Sequence, residues 1–299
     1  MAEGTIIRAL SGFYDVEEDG RLCRCRAKGR FRHDGSSPLV GDRVEYTPQG
    51  DGTGVISAIL PRRNSFVRPA IANIDVLVFL ASGASPVTDP FLIDRVSVIA
   101  RHAGCEFLVV LNKCDLDPAD ELYTVCSRAG LSTVRTSAVT GQGVEDLRTL
   151  LHGKVSAFTG NSGVGKSSLL NALSPALSLE TGEVSEKLGR GRHTTRQVAF
   201  YMLDPQTFVA DTPGFASFEV EMIDAITPEE LPSCFPDFLP YLSSCRFLDC
   251  RHLKEPGCAV LRAVSDGQIS PSRHESYCRL YELLSRIKPW EQAEKPLSR

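Results

Sequence analysis

The sequence predicts three units of different fold class in one chain: a small all-β barrel over residues 1–68, an α/β unit with an open parallel sheet over residues 69–225, and a helical unit over residues 226–299. Three observations lead to this division. The first stretch consists of short strand-like runs cut by Gly, Pro and Asp; the second alternates unbroken apolar runs with amphipathic ones; the third gathers Cys245, Cys250, His252 and Cys258 close together. The formal net charge of -4, with 42% hydrophobic and 23% charged residues, excludes a chain that coats nucleic acid nonspecifically but leaves room for local basic patches. The most apolar windows, Ile74 to Leu80 and Phe107 to Leu111, fall far short of the roughly 20 residues a bilayer span needs. The start, MAEGTIIRALSGFY, lacks the apolar stretch of a signal peptide. A cytoplasmic protein with no membrane contact is therefore expected, its 10 cysteines being reduced thiols or metal ligands rather than a disulfide framework.

In the first unit, strands are expected at Phe13-Tyr14, Arg21 to Phe31, Arg43 to Tyr46 and Val55 to Leu60, separated by turns such as the one from Pro48 to Gly52. After Arg21, the basic residues Arg24, Arg26, Lys28, Arg30 and Arg32 all fall on even positions, and Cys23, Cys25, Ala27 and Phe31 on odd ones. A strand's period of two then gives one apolar, core-facing side and one positive side suited to a phosphate backbone. For an isolated strand, a solvated outer face is the competing reading.

The second unit reads as a βαβ pattern. Ile74 to Leu80 and Phe107 to Leu111 are continuous apolar runs, as strands covered on both faces require. Between them Asp89-Pro90 can start a helix with Leu92, Val96, Ile99 and Ala103 on one face, and Gly104 can stop it. Further helices are expected from Ala119 to Ala129, with Leu122, Val125, Cys126 and Ala129 buried, and from Val144 to Leu151. Ligands of such a sheet sit at the carboxyl ends of its strands.

Four motifs fall at those ends. GNSGVGKS, comprising Gly160, Asn161, Ser162, Gly163, Val164, Gly165, Lys166 and Ser167 with Ser168 following, fits a phosphate loop between the strand Lys154 to Thr159 and a helix. Its backbone N–H groups can wrap phosphates, Lys166 can reach the β and γ phosphates, and Ser167 can ligate Mg²⁺. Asp211-Thr212-Pro213-Gly214 follows the strand Thr207 to Ala210, where Asp211 can hold Mg²⁺ through water and the Gly214 N–H can sense a γ-phosphate. Asn112-Lys113-Cys114-Asp115 follows Leu111 and fits N-K-x-D: the Asp115 carboxylate can accept from both N1–H and the exocyclic amine of guanine, a pair adenine does not offer. Ser137-Ala138 can support the same base through its backbone.

The order of these motifs is informative, because the base-reading pair precedes the phosphate loop. It resembles the order of a circularly permuted P-loop GTPase, which implies hydrolysis of GTP to GDP. Permutation joins the segment after Gly214 to the C-terminal unit, through which switch movement could pass. Glu186 to Arg196, charged and glycine-rich, reads as a switch, with Thr195 as the preferred sensor of Mg²⁺ and γ-phosphate and Thr194 second. Phe215 stands after Gly214 where a water-orienting glutamine could have been, so His193 becomes the nearest catalytic candidate beside Lys166 and Thr195; an exposed loop histidine is the alternative.

In the third unit Cys245, Cys250, His252 and Cys258 supply three thiolates and an imidazole, a set that fits tetrahedral Zn²⁺ in a closed, structural site. Cys234 and Cys278 read as core. A helix is expected from Ser272 to Ile287, with Ser272 and Glu275 as a capping box, Tyr277, Leu280, Tyr281 and Leu284 on one face and Pro289 ending it. Arg246, Arg251, Lys254, Arg262, Arg273 and Arg279 suggest a second RNA-facing surface.

The permuted order, together with GNSGVGKSS, GRGRHTT, DTPGF and CRFLDCRHLKEPGCAV, resembles the RsgA (YjeQ) family of small-ribosomal-subunit GTPases over nearly the whole length. The resemblance implies an N-terminal OB-fold that binds ribosomal RNA, a permuted GTPase and a zinc domain. It further implies binding to the maturing small subunit, weak hydrolysis stimulated by that subunit, and release of the factor afterwards. In this chain Arg196 follows Thr195 where the family often has a third threonine. A monomer is expected. The rival readings are an RNA-binding module with incidental hydrolysis and, disfavoured by Asn112 to Asp115, a P-loop kinase.

Overall fold

A computed structural model describes residues 1–29, 31, 37–66, 69–177, 179, 199–211, 223 and 225–287. Five strands, β1 (Ala2–Leu10), β2 (Phe13–Glu18), β3 (Arg21–Ala27), β4 (Arg43–Pro48) and β5 (Thr53–Ile59), form a closed barrel in the order β1-β2-β3-β5-β4. Its β3–β5 pair is parallel and β1 returns to β4, the arrangement of an OB-fold. Asp19 and Gly20 both have positive φ, 47° and 80°, as the two-residue turn joining β2 and β3 demands. The interior holds Ile6, Val16, Cys25, Val44, Tyr46 and Ile56.

Strand β3 alternates as its sequence predicts, with Cys23 and Cys25 buried and Arg24 and Arg26 exposed. It ends at Ala27 rather than Phe31, because the chain turns there: the Phe31 N–H donates to the Lys28 carbonyl at 3.2 Å and the Phe31 ring returns to the core. Below the barrel, a short hairpin of β6 (Ser65–Phe66) and β7 (Ile71–Ala72) leads to the α/β unit. The junction is fixed by the fully buried Asp42, whose carboxylate takes Arg62 Nε at 2.7 Å and Nη2 at 2.8 Å. Asn73 Nδ2 donates to the Gly41 carbonyl at 2.9 Å, and Arg8 of β1 bridges to Ala199.

The central sheet contains β8 (Val76–Ala81), β9 (Glu106–Leu111), β10 (Ser132–Arg135), β11 (Val155–Gly160), β12 (Phe200–Asp204) and β13 (Thr207–Asp211). Their order is β10-β9-β8-β11-β13-β12, parallel except for the antiparallel edge strand β12. On one face lie α3 (Val144–Leu151) and α4 (Lys166–Leu173), which pack Leu147, Leu169 and Leu170 onto Val78, Val110 and Phe158. On the other face α1 (Pro90–His102) packs Val96 and Ile99 onto Leu77, Phe79 and Val109. Helix α2 (Asp120–Arg128) buries Cys126, with Leu122 and Val125 only partly covered. Asp89 caps α1 as predicted, its Oδ1 accepting from the Phe91 N–H at 2.9 Å.

The face of α1 is broader than the predicted stripe. Leu92 and Ala103 are only partly buried, whereas Phe91, Asp94 and Ser97 are covered, because the C-terminal region packs on this helix as well. That region has no strand among the described residues 225–287; it consists of 3₁₀ turns at Leu231–Cys234 and Leu239–Ser244 followed by α5 (Ala259–Ser265) and α6 (Pro271–Ser285). The expected capping box does not form. Ser270 is the N-cap and Pro271 the first helical residue, which places Ser272 inside the first turn, bonded through Oγ to Ser270 at 2.9 Å. Cys234 is core as expected, while Cys278 is only half-buried. No helix among the described residues is long and apolar enough to cross a membrane.

Candidate nucleotide site and metal cluster

The carboxyl ends of β8, β9 and β11 bring the predicted base-reading and phosphate-loop residues together. The loop from Gly160 to Gly165 needs conformations that side chains resist: Gly160 has φ 149° and a Cβ there would meet the Leu80 carbonyl oxygen at 2.6 Å. Gly165 has φ 91°, and its Cβ would meet Asn112 Nδ2 at 2.5 Å. Helix α4 begins immediately afterwards at Lys166, so its N-terminal N–H groups and dipole face the loop. Val164 is buried beneath, while Asn161, Ser162, Gly163, Lys166, Ser167 and Ser168 keep part or all of their surface open.

Asn112 is the hub of the arrangement. Its Nδ2 donates to the Val164 carbonyl at 2.9 Å, and its Oδ1 accepts from Thr136 Oγ1 at 3.1 Å and from the Ala138 N–H at 3.3 Å. One almost fully buried amide therefore joins the phosphate loop to the Ser137-Ala138 loop. Such a side chain has donors and acceptors on one rigid plane, which a carboxylate or hydroxyl lacks. Lys113, at φ 64°, sends Nζ to the Ser85 carbonyl at 2.6 Å, and Pro86 of the same loop lies against Gly163. Burial pushes the Cys114 thiol up from its ordinary value, and its backbone N–H is held by the Thr136 carbonyl at 3.0 Å. Asp115 is exposed at the mouth, Ser137 is buried behind it, and the Ser137 Oγ accepts from the Thr140 N–H at 3.1 Å.

The backbone of Asp211 pairs in register with Phe158, directly before the phosphate loop. Thr194, Thr195, His193, Gly214, Arg30, Arg32 and Pro289 lie outside the described residues. On the barrel, Arg24 is paired with Asp15 at 2.9 Å and the Arg26 guanidinium lies 4.5 Å above the Phe13 ring, so the basic face carries an aromatic and an acid that the strand pattern did not reveal. A cleft of about 330 Å³ lined by Leu10, Ser11, Phe13, Asp15 and Arg24 opens on it, and Lys28 is exposed beyond the strand end.

The second cluster is compact. The ligand atoms of Cys245, Cys250, His252 and Cys258 all lie within 4.8 Å of one another. Cys245 Sγ is 3.5 Å from His252 Nδ1, His252 Nδ1 is 3.4 Å from Cys258 Sγ, and the Cys245 and Cys258 sulfurs are 4.0 Å apart. Tetrahedral bonds of about 2.0 to 2.3 Å imply edges of roughly 3.5 to 3.8 Å, so these residues fit a metal ion of that size. Without a metal, burial pushes the Cys250 thiol up to about 12, with the neighbouring sulfurs adding to the rise, and burial holds His252 below its usual value. The loop is folded by Glu255, whose carboxylate accepts from the Arg251, Leu253 and Lys254 N–H groups.

Two of the basic residues expected on an RNA-facing surface do other work. Arg273 is 1% exposed and bonds Asp94 and Asp237, and the Arg279 guanidinium sits 3.7 Å over the Phe91 ring. The surface is therefore left to Arg246, Arg251, Lys254 and Arg262, all exposed. Sequence reasoning missed this ion cluster. Its one signal was Asp94 itself, an acid in line with Phe91 and Val98 on the covered side of α1.

A phosphate loop entered from the fourth strand of a parallel sheet, with the base-reading loops already laid down, defines the class: a circularly permuted P-loop GTPase with an OB-fold in front. Comparison with known proteins gives the family. The RsgA GTPase family profile matches residues 59–221 and the RsgA N-terminal domain profile matches residues 3–56. Proteins named small ribosomal subunit biogenesis GTPase RsgA from Moorella thermoacetica and Thermotoga maritima are 45% and 44% identical, each alignment covering 95% of this chain and 98% of the relative. Among solved structures, YjeQ from Thermotoga maritima is similar with a TM-score of 0.80 and 37% identity, covering 96% of this chain and 99% of that one. YloQ, described as a circularly permuted GTPase, is similar with a TM-score of 0.78 and 35% identity over 96% of both chains. The chain belongs to the RsgA GTPase family.

Proposed function

We propose that this GTPase hydrolyses GTP in a Mg²⁺-dependent reaction stimulated by the small ribosomal subunit, and that it serves the maturation of that subunit as its relatives' names describe. The observation that carries the site assignment is the Asn112 side chain, which ties the loop expected to read guanine to the loop expected to hold phosphate. In this reading Asp115 accepts from the guanine edge, with Lys113, Cys114, Ser137 and Ala138 framing the base. Gly160 to Ser168 wraps the phosphates, Lys166 neutralises charge on the β and γ groups, and Ser167, Thr195 and Asp211 hold Mg²⁺, which supplies further charge neutralisation when bound. Gly214 senses the γ-phosphate and His193 serves the attacking water.

The Cys245, Cys250, His252 and Cys258 cluster is assigned to one structural Zn²⁺, since four protein donors leave no position for a substrate. The basic face of β3, with Arg24, Arg26 and Lys28 and, beyond it, Arg30 and Arg32, is assigned to ribosomal RNA, the Phe13–Arg26 stack being suited to an unpaired base. The protein acts as a cytoplasmic monomer with no membrane partner, and hydrolysis releases it from the subunit.

The test is steady-state GTP hydrolysis by the purified chain, alone, with small subunits and with large subunits, and with ATP as the control substrate. Stimulation confined to GTP and small subunits is expected. Turnover that small subunits leave unchanged would sink the ribosome-coupled reading in favour of an RNA-binding switch.

A further inference from the structure

One helix, α6, reaches two separate parts of the molecule from adjacent positions. His274 Nε2 lies 2.7 Å from the carbonyl oxygen of His252, and the Tyr277 hydroxyl donates to the carbonyl of Arg251 at 2.7 Å. These are consecutive carbonyls of the cluster loop. His252 itself has φ 59°, a conformation a non-glycine residue keeps only where its surroundings over-determine it. The Tyr277 ring is fully buried and meets the His252 ring edge-on, with centroids 6.3 Å apart. Both peptide planes flanking this ligand are thus held from α6, and so is the direction of its imidazole.

Arg273, the residue before His274, turns the other way. Its Nη1 bonds Asp94 of α1 at 2.5 Å, and its Nε and Nη2 take the two oxygens of Asp237 at 3.2 and 2.7 Å. Arg273 and Asp94 are both almost entirely buried, so α6 cannot shift along α1 without leaving charge unpaired away from water. Helix α1 is preceded by the loop whose Ser85 carbonyl takes Lys113 and whose Pro86 lies on Gly163. Contacts of this kind orient a ligand or hold an interface, and neither role was legible in the cysteine and histidine pattern.

We infer that His274 and Tyr277 are positioning residues for the ligand His252, and that through Arg273 on the same helix the retention of the metal is coupled to the docking of α6 on α1. The inference rests on the assignment of the four-residue cluster to Zn²⁺. Coupling is reciprocal: a bound ion holds α6 against α1, and α6 seated on α1 holds the ion.

The experiment uses the full-length chain loaded with one equivalent of Zn²⁺ and tracks transfer of the ion to a chromogenic chelator. His274→Leu and Tyr277→Phe are expected to release it about 10-fold faster or more, the scale on which outer partners of metal ligands act. His274→Gln should restore slow release, because its amide N–H can reach the same carbonyl, which a merely space-filling role would not predict. Arg273→Leu should also accelerate release although it touches no ligand, with Arg273→Lys as the milder variant if the first does not fold. Hydrogen exchange along residues 94–101 should quicken when the wild type is stripped of metal. A wild type that takes up no Zn²⁺ would overturn the cluster assignment itself. A loaded wild type matched in release rate by His274→Leu and Tyr277→Phe would overturn the positioning roles. Acceleration in those two with none in the Arg273 variants, or unchanged exchange in α1, would overturn the coupling.

Discussion

The two flanks of the sheet both contain paired cysteines, and they use them in opposite ways. In the barrel, Cys23 and Cys25 are buried with their sulfurs 3.8 Å apart, inside a wall whose five strands each pair on both sides. The backbone ladders close that unit strand to strand. In the C-terminal region Cys245, Cys250 and Cys258 converge with His252, and the surrounding chain is short 3₁₀ turns and two helices. There the order comes from point attachments: the converging Cys and His side chains, the Arg273 ion pairs, and the packing of Phe235, Phe238 and Tyr277, whose ring centroids are 4.9 to 5.4 Å apart. Regular hydrogen bonding and point attachment are alternative solutions to the same problem of holding a small unit together.

Removing the metal should separate the two flanks most sharply. After chelation, amide exchange between residues 239 and 287 is expected to rise by orders of magnitude while residues 2–59 exchange as before; equal loss in both would mean that the barrel also depends on the ion. The next effect is on the barrel side. Arg62→Leu leaves the fully buried Asp42 carboxylate without its counter-charge, with only the Leu39 N–H still bonded to it, and should cost about 3 to 5 kcal/mol in denaturant-induced unfolding. A change below about 1 kcal/mol would show that water reaches that carboxylate.

Between the flanks, Asn112→Ala should weaken GTP binding by about 5- to 150-fold, the consequence of about 1 to 3 kcal/mol for groups left unsatisfied, with little change in either flank. Isothermal titration would measure it, and unaltered affinity would remove Asn112 from the centre of the site. The smallest expected response is that of the barrel thiols. Burial, reinforced by Cys23, pushes Cys25 up to about 12, so its thiolate is disfavoured throughout the neutral range. Iodoacetamide at pH 8 should leave Cys23 and Cys25 unmodified in native protein with or without chelator, whereas chelation, by opening the C-terminal region and so removing the burial that raises the Cys250 thiol, should expose Cys245, Cys250 and Cys258 to alkylation. Mass spectrometry of the peptides distinguishes the two.

The sequence disclosed most where chemistry restricts residue type at fixed spacing. Gly160 to Ser167 and Asn112 to Asp115, and separately the four cluster residues, stand out in the sequence by residue type and spacing, and the structure brings each set together in space. The alternation of β3 was legible because one face is core. Strand β1 was not, because its register shifts between Ile6 and Arg8 and only Ile6 is fully buried, which breaks the period of two. The N-cap of α6 was misplaced by two residues since Ser270 and Ser272 flank Pro271, and the preference of Pro for the first helical position decides between them. Arg273 read as surface charge because Asp94 and Asp237 are distant in sequence, and no local pattern announces a partner across an interface.

The sheet order has a consequence for synthesis. Strands β8, β9 and β10 with α1 and α2 emerge first and can pair with one another, but β8 becomes an interior strand only when β11 arrives on its other side. Until then an apolar strand, Val76–Ala81, presents an open edge to its surroundings. The nascent chain must therefore carry an unprotected pairing surface for the whole interval in which α3 and the start of β11 are being made. The strand that covers this edge also leads straight into the phosphate loop, so one stretch of chain buries β8 and brings that loop beside Asn112, while β12 and β13, and with them Asp211, are added to the far side of β11 afterwards.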